Sequence, residues 1–219
     1  NVLNGADSFP LMAVPFFLLA GEVMNTGGLS RRIVNLAMAL VGHIRGGLGF
    51  VAIFAACILS SLSGSAVADA AALGALLYPM MVKSGHDPAR TGGLLASASV
   101  IGPIIPPSIG FILYGVIGGV SITKLFLAGI FPGLMIAAAL CITWLLVARK
   151  EQFALPPRQS GAVRLKAFVD SLWALMLPVI IIIGLKFGVF TPTEAGVVAA
   201  VYSLFVAMVV YRELPPAKL

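Results

Sequence analysis

From Gly47 to Val82 the chain runs for 36 residues with one charged side chain, Asp69. A helix needs about 20 apolar residues to cross a bilayer, so this stretch alone is long enough to enter the membrane and leave it again. Other apolar runs surround it: Leu11–Gly28, Thr91–Gly118, Leu125–Ala148, Phe168–Val189 and Thr193–Tyr211. A water-soluble globule could not bury so much. The chain is 60% hydrophobic and 10% charged, against about 45–50% and 25% in soluble domains, with a mean hydropathy of +1.07. The expected fold is an all-α integral membrane protein. Soluble enzymes, nucleic-acid binders and secreted disulfide scaffolds are excluded at this step. The net charge of +6 is no nucleic-acid footprint, because Lys and Arg sit between the apolar runs, where they set orientation. Cys57 and Cys141 lie inside apolar runs and read as small buried hydrophobes. The chain begins at Asn1 without the n-region of a signal peptide and stops at Leu219 just past an apolar run, so truncation at both ends is expected.

The positive charges fix the parity of the crossings. Let Arg31, Arg32 and Arg45 be cytoplasmic, and let Gly47–Val82 enter and leave on one side. Lys83, Arg90, Arg149, Lys150, Arg158, Arg164, Lys166, Arg212 and Lys218 are then cytoplasmic too, and only Lys124 and Lys186 fall outside, a split of 12 to 2 among the 14. A single pass through Gly47–Val82 would destroy this agreement. Two full helices and a re-entrant hairpin both satisfy parity. The turn at Ser60–Ser65, and the run of small residues with Asp69 after it, favour the hairpin, since small residues pack against protein rather than lipid. Leu29–Gly42 differs from its neighbours. Its apolar residues recur at helical spacing beside Arg31, Arg32 and Asn35, as in a helix lying in the interface.

Chemistry is expected where helices break. Pro103, Pro106 and Pro107 within Gly102–Ser108 cannot continue a helix, and they release carbonyls upstream. Irregular backbone at membrane depth survives only inside protein or beside a watery cavity, and freed carbonyls there are ligands for hard cations. The serine-rich turn supplies hydroxyls of the same kind, and a helix starting at Ser65 would aim its positive N-terminal end at an anion. Asp69, an intramembrane carboxylate, is a functional candidate by position. Glu22 and Glu194 fall near span ends and read as interfacial or structural. His43 and His86 read as solvated loop residues beside Arg45 and Lys83.

Six stretches then carry a resemblance: Ser8–Pro15 (SFPLMAVP), Gly21–Gly28 (GEVMNTGG), Ser63–Gly74 (SGSAVADAAALG), Gly102–Gly110 (GPIIPPSIG), Leu127–Gly133 (LAGIFPG) and Thr191–Gly196 (TPTEAG). In these, over nearly the whole chain, the sequence resembles the large membrane (permease) subunit of tripartite ATP-independent periplasmic (TRAP) transporters. Members of that family are roughly twice this long, so the resemblance implies a fragment covering about the first half. It also implies an elevator-type transporter of the bacterial inner membrane, multi-pass, taking up an organic acid anion such as sialic acid or a C4-dicarboxylate with Na+ as coupling ion. The implied partners are a small TRAP membrane subunit and a periplasmic substrate-binding protein, with lipid around them and no nucleic acid.

On this sequence the resemblance divides the chain. Residues 1–46 would hold a scaffold helix and the interfacial arm helix. Residues 47–120 would hold transport-domain elements, the re-entrant hairpin 47–82 and the broken helix 90–118. Residues 121–166 would be a transmembrane helix and cytoplasmic link, and 167–219 helices at the start of the second half. The sodium-binding residues it implies are Ser63, Gly102, Ile105 and Pro107, with Ser65, Asp69 and Ser108 lining or supporting the substrate cavity. No catalytic residue is implied.

A sodium-coupled organic-anion carrier working without a binding protein would share these physics; co-purification with a small membrane subunit separates the two. An intramembrane serine protease is suggested by Leu62-Ser63-Gly64 with Asp69. It is disfavoured by Ser61, where a G-x-S-G pattern needs Gly, and by histidines confined to loops. A purely structural subunit would leave both breaks and Asp69 without a role.

Overall fold

The computed structural model describes residues 9–149 and 157–214, and among them every regular element is helical, with no strand. The readings placed on Asn1–Ser8, Lys150, the first part of the polar link and the tail from Pro215 lie outside the described residues. A short 3-10 turn (Phe9–Met12) leads into α1 (Ala13–Thr26). Then follow α2 (Leu29–Val41), α3 (Gly47–Ser63), α4 (Ala66–Lys83), α5 (Pro88–Ser99), α6 (Ile109–Gly118), α7 (Ile122–Ala148), α8 (Gly161–Lys186) and α9 (Pro192–Phe205), which continues as one π-helical turn, Val206–Val210. Among the described residues, five stretches are long and apolar enough to cross a membrane: Phe9–Thr26, Ala66–Lys83, Ile122–Ala148, Gly161–Lys186 and Pro192–Val210. The chain is a multi-pass membrane protein.

The packing follows from which helices are apolar all round. Leu48, Val51, Ala52, Ile53, Ala55, Ala56 and Leu59 are all buried on α3, and α3 packs against α1, α2, α4, α5, α7 and α8. A helix apolar on every side belongs inside a bundle. The longer α7 instead leaves Phe131, Leu134, Met135, Ile142 and Leu146 exposed, a surface suited to lipid or to further protein. Trp144 ties α7 to the centre: its indole Nε1 donates to the Gly46 carbonyl at 2.8 Å, and its ring occupies the space a side chain at Gly49 would need.

Three features differ in detail from the sequence reading. The amphipathic pattern of Leu29–Gly42 does make a helix, but the buried side, including Leu29, Ile33, Leu36 and Ala37, is covered by α3 and α8 rather than by lipid. The polar link is shorter than its composition suggests. Ser160 accepts from the Val163 amide and starts α8 at Gly161, so Arg164 and Lys166 ride on a helix; both are good helix formers. His86 is not solvated. It is 4% exposed, its Nδ1 lies 3.0 Å from the Met81 carbonyl, and its ring stacks on Trp144 at 5.9 Å between centroids. Glu194 has the structural role expected of it: with Thr191 it forms a capping box at the start of α9.

Candidate functional site at the meeting of two breaks

The first break is the turn between α3 and α4. Gly64 takes left-handed backbone (φ +59°), which ends α3, and Ser65 takes extended backbone and caps α4 by accepting from the Ala68 amide. Two residues therefore reverse the chain and lay the end of α3 beside the start of α4. This brings Ser60 and Ser63 onto Asp69. Ser63 Oγ donates to Asp69 Oδ1 at 2.6 Å, Ser60 Oγ donates to Oδ2 at 3.2 Å, and Ser63 Oγ accepts from the Ser65 amide at 3.1 Å. Asp69 is only 2% exposed. A carboxylate so enclosed has both oxygens held by hydroxyls, which is how a buried polar group is tolerated.

The second break separates α5 from α6. From Val100 to Pro107 the backbone is non-helical, as the three prolines require. Ser108 restarts the helix: its Oγ accepts from the Phe111 amide at 3.2 Å and donates to the Pro103 carbonyl at 2.6 Å. The carbonyls of Gly102, Ile105 and Pro107 accept no hydrogen bond among the described residues.

The two breaks pack on each other. A side chain built on Gly102 would come within 2.6 Å of Asp69 Oδ2 and 3.2 Å of the Ala66 amide nitrogen. One built on Gly64 would come within 2.5 Å of the Pro107 carbonyl oxygen. Glycine at both positions is what lets backbone from one break approach the other. Ser63, Asp69, Gly102, Pro107 and Ser108 thus meet in one buried locus, with Ser65 at its edge. Ile105 is placed differently. Its side chain turns toward Gly133 of α7, where a Cβ would meet Ile105 Cγ1.

Two contributors escaped the sequence reading. Ser60 holds the second oxygen of Asp69, and the helical spacing of Ser60 and Ser63, three residues apart, was the available signal. Gly21 of α1 lies against the turn, where a Cβ would stand 3.3 Å from Ser63 Cα; no local signal pairs these two positions. Gly129 and Gly133, one turn apart on α7, likewise receive Ile104 and Ile105 of the break.

Chemically, the locus offers a carboxylate, hydroxyls and unpaired carbonyls, all oxygen, enclosed by helices. Among the described residues no three His, Cys, Asp or Glu side chains cluster. Nor is the locus a protease site. Ser63 faces a carboxylate, and His86 lies beyond the other end of α4, at least about 20 Å away at 1.5 Å per residue.

A multi-pass helical membrane protein with two interrupted elements joined around an enclosed polar locus has the architecture of a membrane permease. The comparisons make the assignment specific: the family model for the DctM component of the tripartite ATP-independent periplasmic transporter matches residues 1–219, and the chain belongs to that family. Among its relatives, a putative TRAP transporter large permease protein of Haemophilus influenzae is 58% identical over 98% of this chain and 51% of its own length. The 2,3-diketo-L-gulonate TRAP transporter large permease protein of Escherichia coli is 58% identical over 100% of this chain and 52% of its own length. The sialic acid TRAP transporter permease protein of Haemophilus influenzae is 45% identical over 98% of this chain and 36% of its own length. The chain spans about half the length or less of these curated relatives. All are named as transporter permeases and none as an enzyme.

Proposed function

We propose that this chain is the first half of a permease subunit that takes up an organic acid anion across the bacterial inner membrane, driven by Na+. The observation that carries the reading is the packing of the α3–α4 turn on the α5–α6 break. Gly102 approaches the Asp69 carboxylate, and Gly64 approaches the Pro107 carbonyl. An ion held by Ser63 and the carbonyls of Gly102, Ile105 and Pro107 would bridge the two elements. Ser65, Asp69 and Ser108 would shape the adjoining anion cavity. Each ligand would favour the arrangement the other needs, which couples their affinities.

A re-entrant hairpin fits this reading. Ser63 meets α1 at Gly21, five residues short of its end at Thr26, and Ile104 meets α7 at Gly129, well inside that helix. Both contacts support a locus at membrane depth. In the elevator scheme, residues 47–120 would move as transport-domain elements against a scaffold that includes α1 and the arm helix α2. Residues 121–166 and 167–219 would link to the second half. The partners are a small membrane subunit and a periplasmic substrate-binding protein that delivers the anion.

The test uses the full-length subunit with both partners in proteoliposomes. Labelled sialic acid, succinate and 2,3-diketo-L-gulonate serve as probes, chosen from what the relatives are named for. Uptake of at least one probe should require an inward Na+ gradient and the binding protein. Uptake indifferent to Na+ would refute the coupling, and uptake without the binding protein would favour a simple carrier.

A further inference from the structure

A cavity of about 630 Å³ with charged lining residues opens between α2, α4, α8 and the segment after α9. It is separate from the locus above, because its α4 residue, Met80, lies eleven residues along the helix from Asp69, about 16 Å at 1.5 Å per residue.

Its depth is marked on α8. The helix carries Arg164, Lys166 and Asp170, then no charge from Ser171 to Leu185. Aromatic residues gather at that change. Trp173 is exposed, Tyr202 Oη donates to the Trp173 carbonyl at 2.8 Å, and Tyr211 Oη donates to the Asp170 carbonyl at 2.7 Å. A charged-to-apolar boundary with Trp and Tyr marks the headgroup level of a bilayer.

Its lining carries a net positive charge. Arg32 is committed: it pairs with Glu213 at 2.7 Å and lies over the Tyr211 ring at 3.7 Å. Arg31 and Lys166 form no ion pair among the described residues, and only Asp170 opposes them in the lining. Among the described lining residues, three positive charges face two negative ones. Asn35 adds an amide, while Met38, Met80 and Val163 make an apolar wall. A small soluble anion would leave that wall wet; a phosphodiester with acyl chains would cover it.

We propose that this cavity seats the headgroup of an anionic phospholipid of the cytoplasmic leaflet, with its phosphate against Arg31 and Lys166. Basic pockets between helices on this face of a membrane protein recognise such lipids by charge. The inference rests on the orientation set by the positive residues and not on sodium coupling, so its test needs no transport.

The full-length subunit in its complex is delipidated in detergent and examined by native mass spectrometry and thermal unfolding. The probes are dioleoylphosphatidylglycerol, dioleoylphosphatidylcholine and inorganic phosphate. Phosphatidylglycerol should give a retained adduct and raise the unfolding midpoint; the other two should do neither. Arg31→Ala/Lys166→Ala should bind phosphatidylglycerol roughly tenfold or more weakly, while Arg31→Lys/Lys166→Arg and Arg158→Ala, outside the cavity, should bind it normally. Should the double alanine variant not fold, Arg31→Gln alone, at an exposed position, should still weaken the adduct. Equal retention of phosphatidylcholine, undiminished binding to the alanine or glutamine variants, or no adduct at all would overturn the proposal. Stabilisation by inorganic phosphate alone would show a soluble-anion site instead.

Discussion

Asp69 is the buried carboxylate at the centre of the candidate site. It sits on a helix otherwise rich in Ala, and two serine hydroxyls hold both its oxygens in a site only 2% exposed to solvent. Hydrogen bonds to a charged group contribute about 1.5–3 kcal/mol each. Asp69→Asn keeps the shape but not the charge, and should lower uptake roughly ten- to hundredfold in the reconstituted system. Asp87→Asn is the control: Asp87 caps α5 by accepting from the Arg90 amide at 2.8 Å, and asparagine caps as well. Equal effects of the two substitutions would remove Asp69 from the site. Gly102→Val should be more severe, since even a Cβ reaches 2.6 Å from Asp69 Oδ2 and 3.1 Å from the Ser99 carbonyl; about 1–3 kcal/mol of stability should be lost to crowding alone. His86 gives a pH dependence. Burial holds its imidazole below the usual 6.5, so the unfolded chain takes up the proton first. The stability His86 contributes is complete above about pH 6.5 and falls as the pH drops below it, toward the lower folded-state value. The unfolding midpoint should therefore fall between about pH 8 and pH 5.5, and fall less in His86→Gln. Identical slopes would show that His86 does not titrate with folding.

At the level of the helix, the sequence was informative where a pattern is local. The unbroken apolar runs announce the spans. Pro103, Pro106 and Pro107 announce the interruption between α5 and α6, and Ser60–Ser65 announces the turn between α3 and α4. What is not local was invisible. That α2 lays its apolar side on α3 and α8, that Trp144 reaches Gly46, and that His86 stacks on Trp144 all join residues far apart in the chain. Periodicity shows that a helix has an apolar face but not what covers it, and a histidine in a short loop looks solvated until its neighbours are placed. Trp144→Phe should cost about 1 kcal/mol through the bond lost to the Gly46 carbonyl, read as a lower unfolding midpoint. An unchanged midpoint would mean that this bond does not anchor the base of α3. The even number of passes through Gly47–Val82 has its own test. Single cysteines at Asp87 and at Gly119, introduced into a chain lacking Cys57 and Cys141, should be labelled from opposite sides by an impermeant reagent, Asp87 from the cytoplasm. Periplasmic labelling at position 87 would mean that Gly47–Val82 crosses an odd number of times.

For the molecule as a whole, the meeting of the two breaks is the central feature. Two interrupted elements, about forty residues apart in sequence, meet where glycines admit close backbone contact, and the oxygens they gather would bind the coupling ion. Local cues identified Ser63 and the proline-rich break separately, but only the packing puts Gly64 beside Pro107 and Gly102 beside Asp69. The most direct measurement is the sodium dependence of uptake by the full-length subunit with its partners in proteoliposomes, comparing the wild-type protein with Ser63→Ala, Gly102→Val and Asp87→Asn. Ser63→Ala removes one oxygen ligand and should raise the sodium concentration for half-maximal uptake; Gly102→Val should raise it further, and Asp87→Asn should leave it unchanged. Active Ser63→Ala and Gly102→Val proteins with the wild-type sodium curve would contradict the claim that the meeting of the two breaks is where sodium binds.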